Sequence, residues 1–195
     1  MIFTETKLSG AFILDVEPIA DSRGFFTRTF CRNDFLVYGL NPTIVQANLA
    51  FNHKKGTIRG IHFQYPPYAE AKLVRCTRGA IVDIIVDLRP ESPTYLESVA
   101  VELTPDNRRS IYVPERFGHS YQVLTDNTEV SYDISEFYAP ASARSLRYDD
   151  PRLCGIEWPL EVTEISEKDK NAPLLDEVEK ELLWKMSYDY SRQPA

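Results

Sequence analysis

Most apolar residues of this chain recur at alternate positions in short runs, which is the period of a strand buried on one face. In Leu96–Leu103, Val99, Val101 and Leu103 share one side while Ser98, Ala100 and Glu102 take the other, so one side faces a core. Comparable runs rich in β-branched and aromatic residues predict strands in Ala11–Pro18, Phe25–Phe30, Ile44–Phe51, Thr57–Gln64, Lys72–Arg78, Ala80–Leu88, Ser110–Val113, His119–Leu124 and Glu129–Ser135. Asp21-Ser22-Arg23-Gly24, Pro105-Asp106-Asn107, Pro114–Gly118 and Thr125-Asp126-Asn127 supply turns between them. The tight Arg78-Gly79 turn predicts that the runs on either side pair as a hairpin. Helical spacing is confined to one or two turns in Asn33–Gly39 and a C-terminal helix in Pro173–Tyr188, where Leu174, Leu175, Val178, Leu182 and Leu183 recur. The stretch from Ala139 to that helix is looser and rich in Pro and charge, and Ser191–Ala195 are expected to fray. Many short strands punctuated by turns indicate an all-β sandwich or barrel.

Composition narrows the class. A chain of 195 residues with 43% hydrophobic content suits a single domain over 1–195. A formal net charge of −7 argues against general binding to nucleic acid or an acidic membrane. The N-terminal MIFTETKLSG carries neither a basic segment nor a long apolar run, and no stretch approaches the ~20 apolar residues of a membrane span. Cys31, Cys76 and Cys154 are widely spaced, without a CxxC pair, which fits reduced thiols in a cytoplasm and burial as small hydrophobes.

Polar residues inside the strands are the exception that calls for chemistry. Lys72 shares its parity with Val74 and Cys76, an awkward place for a cation unless it faces a wet cavity. Asp83 lies with Ile81 and Ile85, opposite the apolar Val82, Ile84, Val86 and Leu88. Tyr132 lies with Val130 and Ile134, so its phenol points inward. His62 sits mid-strand, with the one side chain whose ordinary pKa lies nearest neutrality.

The order of motifs resembles a known family. Arg59-Gly60-Ile61-His62-Phe63-Gln64, Lys72-Leu73-Val74-Arg75, Val86-Asp87-Leu88-Arg89 with Ser92-Pro93-Thr94, Pro114–His119, Tyr138-Ala139-Pro140, Asp149-Asp150-Pro151, Gly155–Pro159 and Ser166–Asp169 are similar to the successive motifs of the nucleotide-diphospho-4-keto-6-deoxysugar 3,5-epimerases. The resemblance covers about residues 10–170, ahead of the helical extension over 173–188. It implies a cupin-type β-jelly roll (a double-stranded β-helix), usually a homodimer, that works on a nucleotide sugar without metal or organic cofactor. Epimerisation beside a ketone requires a base, a donor or cation on the enolate oxygen, and an acid on the far face. The resemblance gives these roles to His62, Lys72 and Tyr132, with Asp169 orienting the imidazole. It gives Arg23 and Arg59 the diphosphate, with Arg23 reaching the neighbouring subunit's site through an N-terminal region that crosses the dimer interface. Phe26, Gln46 and Asn48 fall where the family contacts nucleotide and sugar, Asp83 and His119 at polar positions lining its pocket, and Tyr138 in a further pocket motif.

Three points stay open on sequence. Strict alternation puts Arg59 and His62 on opposite faces, so a bulge or kink near Gly60 is required for both to serve one site. Arg28 stands where the family's rhamnose-pathway members usually carry a base-contacting glutamate, exchanging an acceptor for a donor, which leaves a cytidine- or guanosine-linked sugar, or inversion at one carbon only, as alternatives to a thymidine-linked one. His62, Glu70 and His119 also preserve part of a cupin metal set, with Gln64 in place of its second histidine, and a non-catalytic sugar-binding jelly roll is the third class weighed.

Overall fold

The computed structural model describes residues 1–153 and 155–187; the expectations for Cys154, for Ser191–Ala195 and for a helix reaching Tyr188 lie outside the described residues. Two facing antiparallel sheets form the body. The larger takes β1 (Ile2–Glu5), β2 (Phe12–Asp15), β10 (Ser110–Val113), β7 (Lys72–Arg78), β12 (Thr128–Ile134) and β5 (Gln46–Asn52), in that spatial order. The smaller takes β13 (Ala143–Ser145), β6 (Ile58–Gln64), β11 (Phe117–Val123), β8 (Ile81–Asp87) and β9 (Ser98–Leu103). A separate ribbon pairs β3 (Ile19–Asp21) with β4 (Gly24–Phe26), and the helices are α1 (Arg32–Val37), α2 (Glu167–Lys170) and α3 (Leu175–Met186). This is the expected all-β jelly roll with a C-terminal helix.

Three apolar clusters follow from the alternation. Val74, Cys76, Ile81, Ile85, Val101, Ile111 and Val130 meet between the sheets. Ile61, Phe63, Val86, Leu88 and Leu146, from the outer face of the smaller sheet, pack against Leu175, Leu182 and Met186 of α3. Phe12, Leu14, Leu73 and Tyr112, from the outer face of the larger sheet, pack against Phe35 of α1 and Leu40 beyond it. Burial of each large side chain contributes roughly 1.5–3 kcal/mol. The strand parity that fills these clusters sends Tyr132, Lys72 and His62 to the space between the sheets. Asp150 ties α3 down by accepting from the Leu175 N–H at its first turn.

Two expectations are corrected. β7 and β8 are not a hairpin: β7 pairs with β10 and β12 in one sheet, and β8 with β11 and β9 in the other. The Arg78-Gly79 corner carries the chain across the sandwich, with Gly79 at φ 79° and packed so tightly against Thr125 and Thr128 that a Cβ there has no room. The predicted strand over Phe25–Phe30 shrinks to Gly24–Phe26, whose residues are all exposed. Strand preference reflects the fit of a side chain to a half-buried pleated surface, and this ribbon has none beneath it within the chain. Phe30 instead packs edge-on against Phe35, with ring centroids 4.9 Å apart.

Candidate active site

A cavity of about 380 Å³ opens between the sheets. His62 and Gln64 of β6 form one wall, and Tyr132 and Ile134 of β12, Lys72 of β7 and Gln46 and Asn48 of β5 form the other. Glu70, Tyr138, Arg144 and Lys168 complete its rim. Histidine and tyrosine therefore rise from opposite sheets toward one space.

The required bulge is present. Along β6, Arg59 faces Tyr121 and His62 faces His119, so three steps on β6 oppose two on β11. Gly60 absorbs the extra residue at φ 124°, and a Cβ there would lie 2.6 Å from the His119 carbonyl oxygen. Arg59, which stays exposed, reaches over β5, with Nε donating to Asn52 Oδ1 at 2.8 Å and a terminal nitrogen to the Phe51 carbonyl at 3.2 Å. It lines an adjoining cavity of about 410 Å³ that shares His62 and Lys168 with the first.

Asp169 reaches His62 from α2 across 107 residues of sequence, its Oδ1 lying 2.7 Å from Nε2. Ser166 caps α2 by accepting from the Asp169 N–H at 3.1 Å, and the Gly60 N–H donates to Asp169 Oδ2 at 3.4 Å. Burial alone would push the Asp169 carboxyl up, but the bonds from His62, Ser166 and Gly60 outweigh it and hold the group below the usual carboxylate range. Asp169 is thus an ionised, nearly covered partner for the imidazole, whose own ring is 41% exposed toward the cavities.

Opposite, burial raises the Tyr132 phenol, Arg59 draws it back and Glu70 adds to the rise, so it remains a proton donor at neutral pH. The Lys72 side chain is only 8% exposed and its ammonium is paired with Glu70 at 3.0 Å. In the sequence Lys168 is legible only as an ordinary charge, and Glu70 only as a member of the partial cupin metal set. Gln64 holds the rim: its amide donates to the Tyr68 and Phe137 carbonyls at 2.8 and 3.2 Å and accepts from the Ala139 N–H at 2.7 Å. Gln46 does the same for Tyr138, accepting from its N–H at 3.0 Å. No signal in the sequence distinguishes these two as loop clamps.

The remaining candidates lie elsewhere. His119 and Asp83 are buried and paired to each other at 2.8 Å, and neither lines the cavity. Arg23 projects from the β3–β4 ribbon, 88% exposed and paired with Asp21. Phe26 and Arg28 line a separate recess of about 400 Å³ with Met1, Glu17, Ile19 and Thr27. Of the partial metal set, Glu70 is engaged by Lys72 and His119 by Asp83, and among the described residues no group of three His, Cys, Asp or Glu converges as a metal-ligand set.

The family model for dTDP-4-dehydrorhamnose 3,5-epimerase matches residues 5–177. The chain belongs to that family. It is 38% identical over 179 residues to the dTDP-4-dehydrorhamnose 3,5-epimerase of Salmonella typhimurium, covering 91% of this chain and 97% of that one. The enzyme of the same name from Methanothermobacter thermautotrophicus is 42% identical over 172 residues, covering 87% and 91%. Among solved structures, the Legionella pneumophila epimerase in complex with dTDP-4-keto-L-rhamnose superposes with a TM-score of 0.86 at 34% identity, covering 93% of this chain and 96% of that chain. A 3'-monoepimerase from Streptomyces bikiniensis in complex with dTDP-quinovose superposes at 0.83 with 33% identity, covering 91% and 90%. This epimerase family member is an isomerase. Among its described residues, no helix is long and apolar enough to cross a membrane.

Proposed function

We propose that this protein inverts C3 and C5 of dTDP-4-dehydro-6-deoxyglucose, giving dTDP-4-dehydrorhamnose for deoxysugar biosynthesis, within one catalytic domain and without a cofactor. The observation that carries the reading is the disposition of His62 and Tyr132 on facing sheets of one cavity, with Lys72 beside the tyrosine. In this mechanism His62 removes the proton beside the ketone, and the ionised Asp169 stabilises the imidazolium that forms. The Lys72 ammonium holds the enolate oxygen, and Tyr132 delivers a proton to the opposite face of the carbon. Once His62 has released its proton to solvent and Tyr132 has regained one, the same groups act at the second carbon after the sugar shifts. Gln46, Asn48 and Tyr138 hold the sugar and base, and Arg59 contacts the diphosphate from the adjoining cavity.

The test is incubation in D2O with dTDP-4-keto-6-deoxyglucose, followed at the C3 and C5 protons by NMR. Exchange and inversion at both carbons is the expected result, exchange at C3 alone would assign a monoepimerase, and exchange at neither would overturn the reading.

The active unit in this reading is a two-fold dimer in the cytoplasm. Phe25 and Phe26 on the ribbon and Leu49 and Phe51 on the edge strand β5 are exposed, which supports a covered apolar face, and Cys31 and Cys76 are free thiols. Arg23, far exposed in one chain, would complete the partner's diphosphate site. Mixing Arg23→Ala with His62→Ala subunits restores activity in part of the population if sites are shared; no restoration after confirmed exchange argues against sharing.

A further inference from the structure

The cavity carries one charge that the mechanism leaves idle. Among the described residues that line it, Lys72, Arg144 and Lys168 are cationic and Glu70 is the single carboxylate. A carboxylate repels a nucleoside diphosphate, and one that is only 12% exposed also bears a desolvation cost, so its presence there requires a role. The fold holds Glu70 in place. It stands two residues ahead of Lys72, at the entry to β7; Ala71 and Leu73 pack outward with Phe35, while Glu70 and Lys72 take the alternate direction, into the cavity. Ala71 is fixed between them, its N–H donating to the Ser135 hydroxyl at 2.7 Å and its carbonyl accepting from the Ser135 N–H at 3.0 Å. On that pinned backbone, Glu70 Oε1 lies 3.0 Å from Lys72 Nζ.

A nearly covered ammonium without a counter-charge is costly, and a lysine stem has many rotamers through which to carry it elsewhere. We propose that Glu70 is a positioning residue for Lys72, its carboxylate anchoring the ammonium in the cavity beside the Tyr132 phenol. The inference rests on Lys72 being the cation that holds the enolate oxygen. An ammonium already fixed in position needs no reorganisation as the oxyanion develops, which is what gives such a group its catalytic effect. The same carboxylate acts on the neighbouring acid: burial raises the Tyr132 phenol, Arg59 draws it back and Glu70 adds to the rise. The other charged or titratable groups that face Lys72 and Tyr132 are His62 and Arg59 of β6, Tyr121 of β11, Lys168 of α2, Tyr138 ahead of β13 and Arg144 within it. Asp133 of β12 pairs with Leu73 and takes the outer face with it. Glu70 is therefore the counter-ion that the cavity offers Lys72.

Three variants test this: Glu70→Gln, Glu70→Asp, and Glu70→Gln combined with Lys72→Met. The rate at which Lys72 is methylated by formaldehyde and a borane in the substrate-free protein, read by peptide mass mapping, should rise severalfold in Glu70→Gln because the ammonium has lost its anchor. Glu70→Asp, which keeps the charge on a shorter stem, should fall between that rate and the parent's. Turnover of Glu70→Gln near neutral pH should drop roughly tenfold, less than the about 10²–10³ that removing a donor to a developing oxyanion costs. KM should hold, since the oxyanion forms only after binding, and the alkaline limb should move to lower pH, the direction in which a phenol shifts when a nearby negative charge is removed. In the Lys72→Met background, Glu70→Gln should cost no further turnover near neutral pH, because it acts through the lysine. An unchanged methylation rate overturns the proposal whatever the activity does, and so does a further loss in the double variant. Should Glu70→Gln fail to fold, Glu70→Asp decides alone, and a methylation rate equal to the parent's overturns the proposal. If the parent itself shows no epimerase activity while the methylation rates move as expected, the anchoring of Lys72 by Glu70 stands and the choice of reaction fails.

Discussion

In the proposed mechanism, replacing Asp169 by asparagine keeps the shape of the partner of His62 and removes its charge. The introduced amide oxygen would still accept from His62 Nε2 across the 2.7 Å gap, so the ring stays oriented in its ground state. What is lost is the preference for the imidazolium formed as the substrate proton arrives. Hydrogen bonds to charged groups contribute about 1.5–3 kcal/mol against about 0.5–1.5 for neutral ones, and a unit charge pair near a protein surface attracts by up to about 4 kcal/mol. Because the His62 ring is 41% exposed, solvent screening keeps the loss in the lower part of that span, about 1–2 kcal/mol. That is roughly a 5- to 30-fold fall in turnover, with the acidic limb of the pH profile moved to lower pH. The substrate binds before the charge develops, so KM should hold. Folding does not confound the assay between about pH 5 and 9. The Asp169 carboxyl is held below its ordinary value, so its contribution to stability is complete above the unfolded carboxylate pKa and is lost only as pH falls through the folded one. Turnover and KM measured across that range decide the matter. An acidic limb that stays in place, or a rise in KM at constant turnover, would refute the assignment of Asp169 as the partner of the base.

Tyr132→Phe should retain deuterium exchange yet lose inversion by a factor of about 10²–10⁴, since the enolate still forms but has no donor on its far face; loss of folding instead would mark Tyr132 as a core residue. Lys72→Met should lower turnover by roughly 10²–10³, with nucleotide binding measured by calorimetry little changed, whereas a comparable loss of binding would place Lys72 on the nucleotide. Gly60→Ala should destabilise the fold by more than the ~1–3 kcal/mol of backbone strain alone, because its Cβ would meet the His119 carbonyl and Ser120 at 2.6 Å; a near-neutral melting temperature would show that the bulge relaxes. Arg28→Glu should change the ranking of TDP, CDP, UDP and GDP in calorimetry if this residue reads the base, and identical rankings would leave it a surface charge.

Local rules make much of this protein readable in one dimension. Alternation along a strand fixes which side chains share a face, so Tyr132 with Val130 and Ile134, Lys72 with Val74, and Asp83 with Ile81 and Ile85 are assigned to the interior from neighbouring residues alone. The need for a bulge at Gly60 is likewise a parity argument, and the β6–β11 register carries it out. Pairing partners obey no such local rule. Arg78-Gly79 has the chemistry of a hairpin turn, yet the chain crosses between sheets there, because the closure of two sheets around one core sets which strands neighbour which. Two contacts of the candidate site are of that second kind: Asp169 beside His62 at a separation of 107 residues, and Gln64 clamping the loop at Phe137 and Ala139. For the strand residues, sequence determines which face each side chain takes, since that depends on a period of two residues. Only the folded barrel decides what stands opposite it, since that depends on contacts whose sequence separation carries no periodic signal.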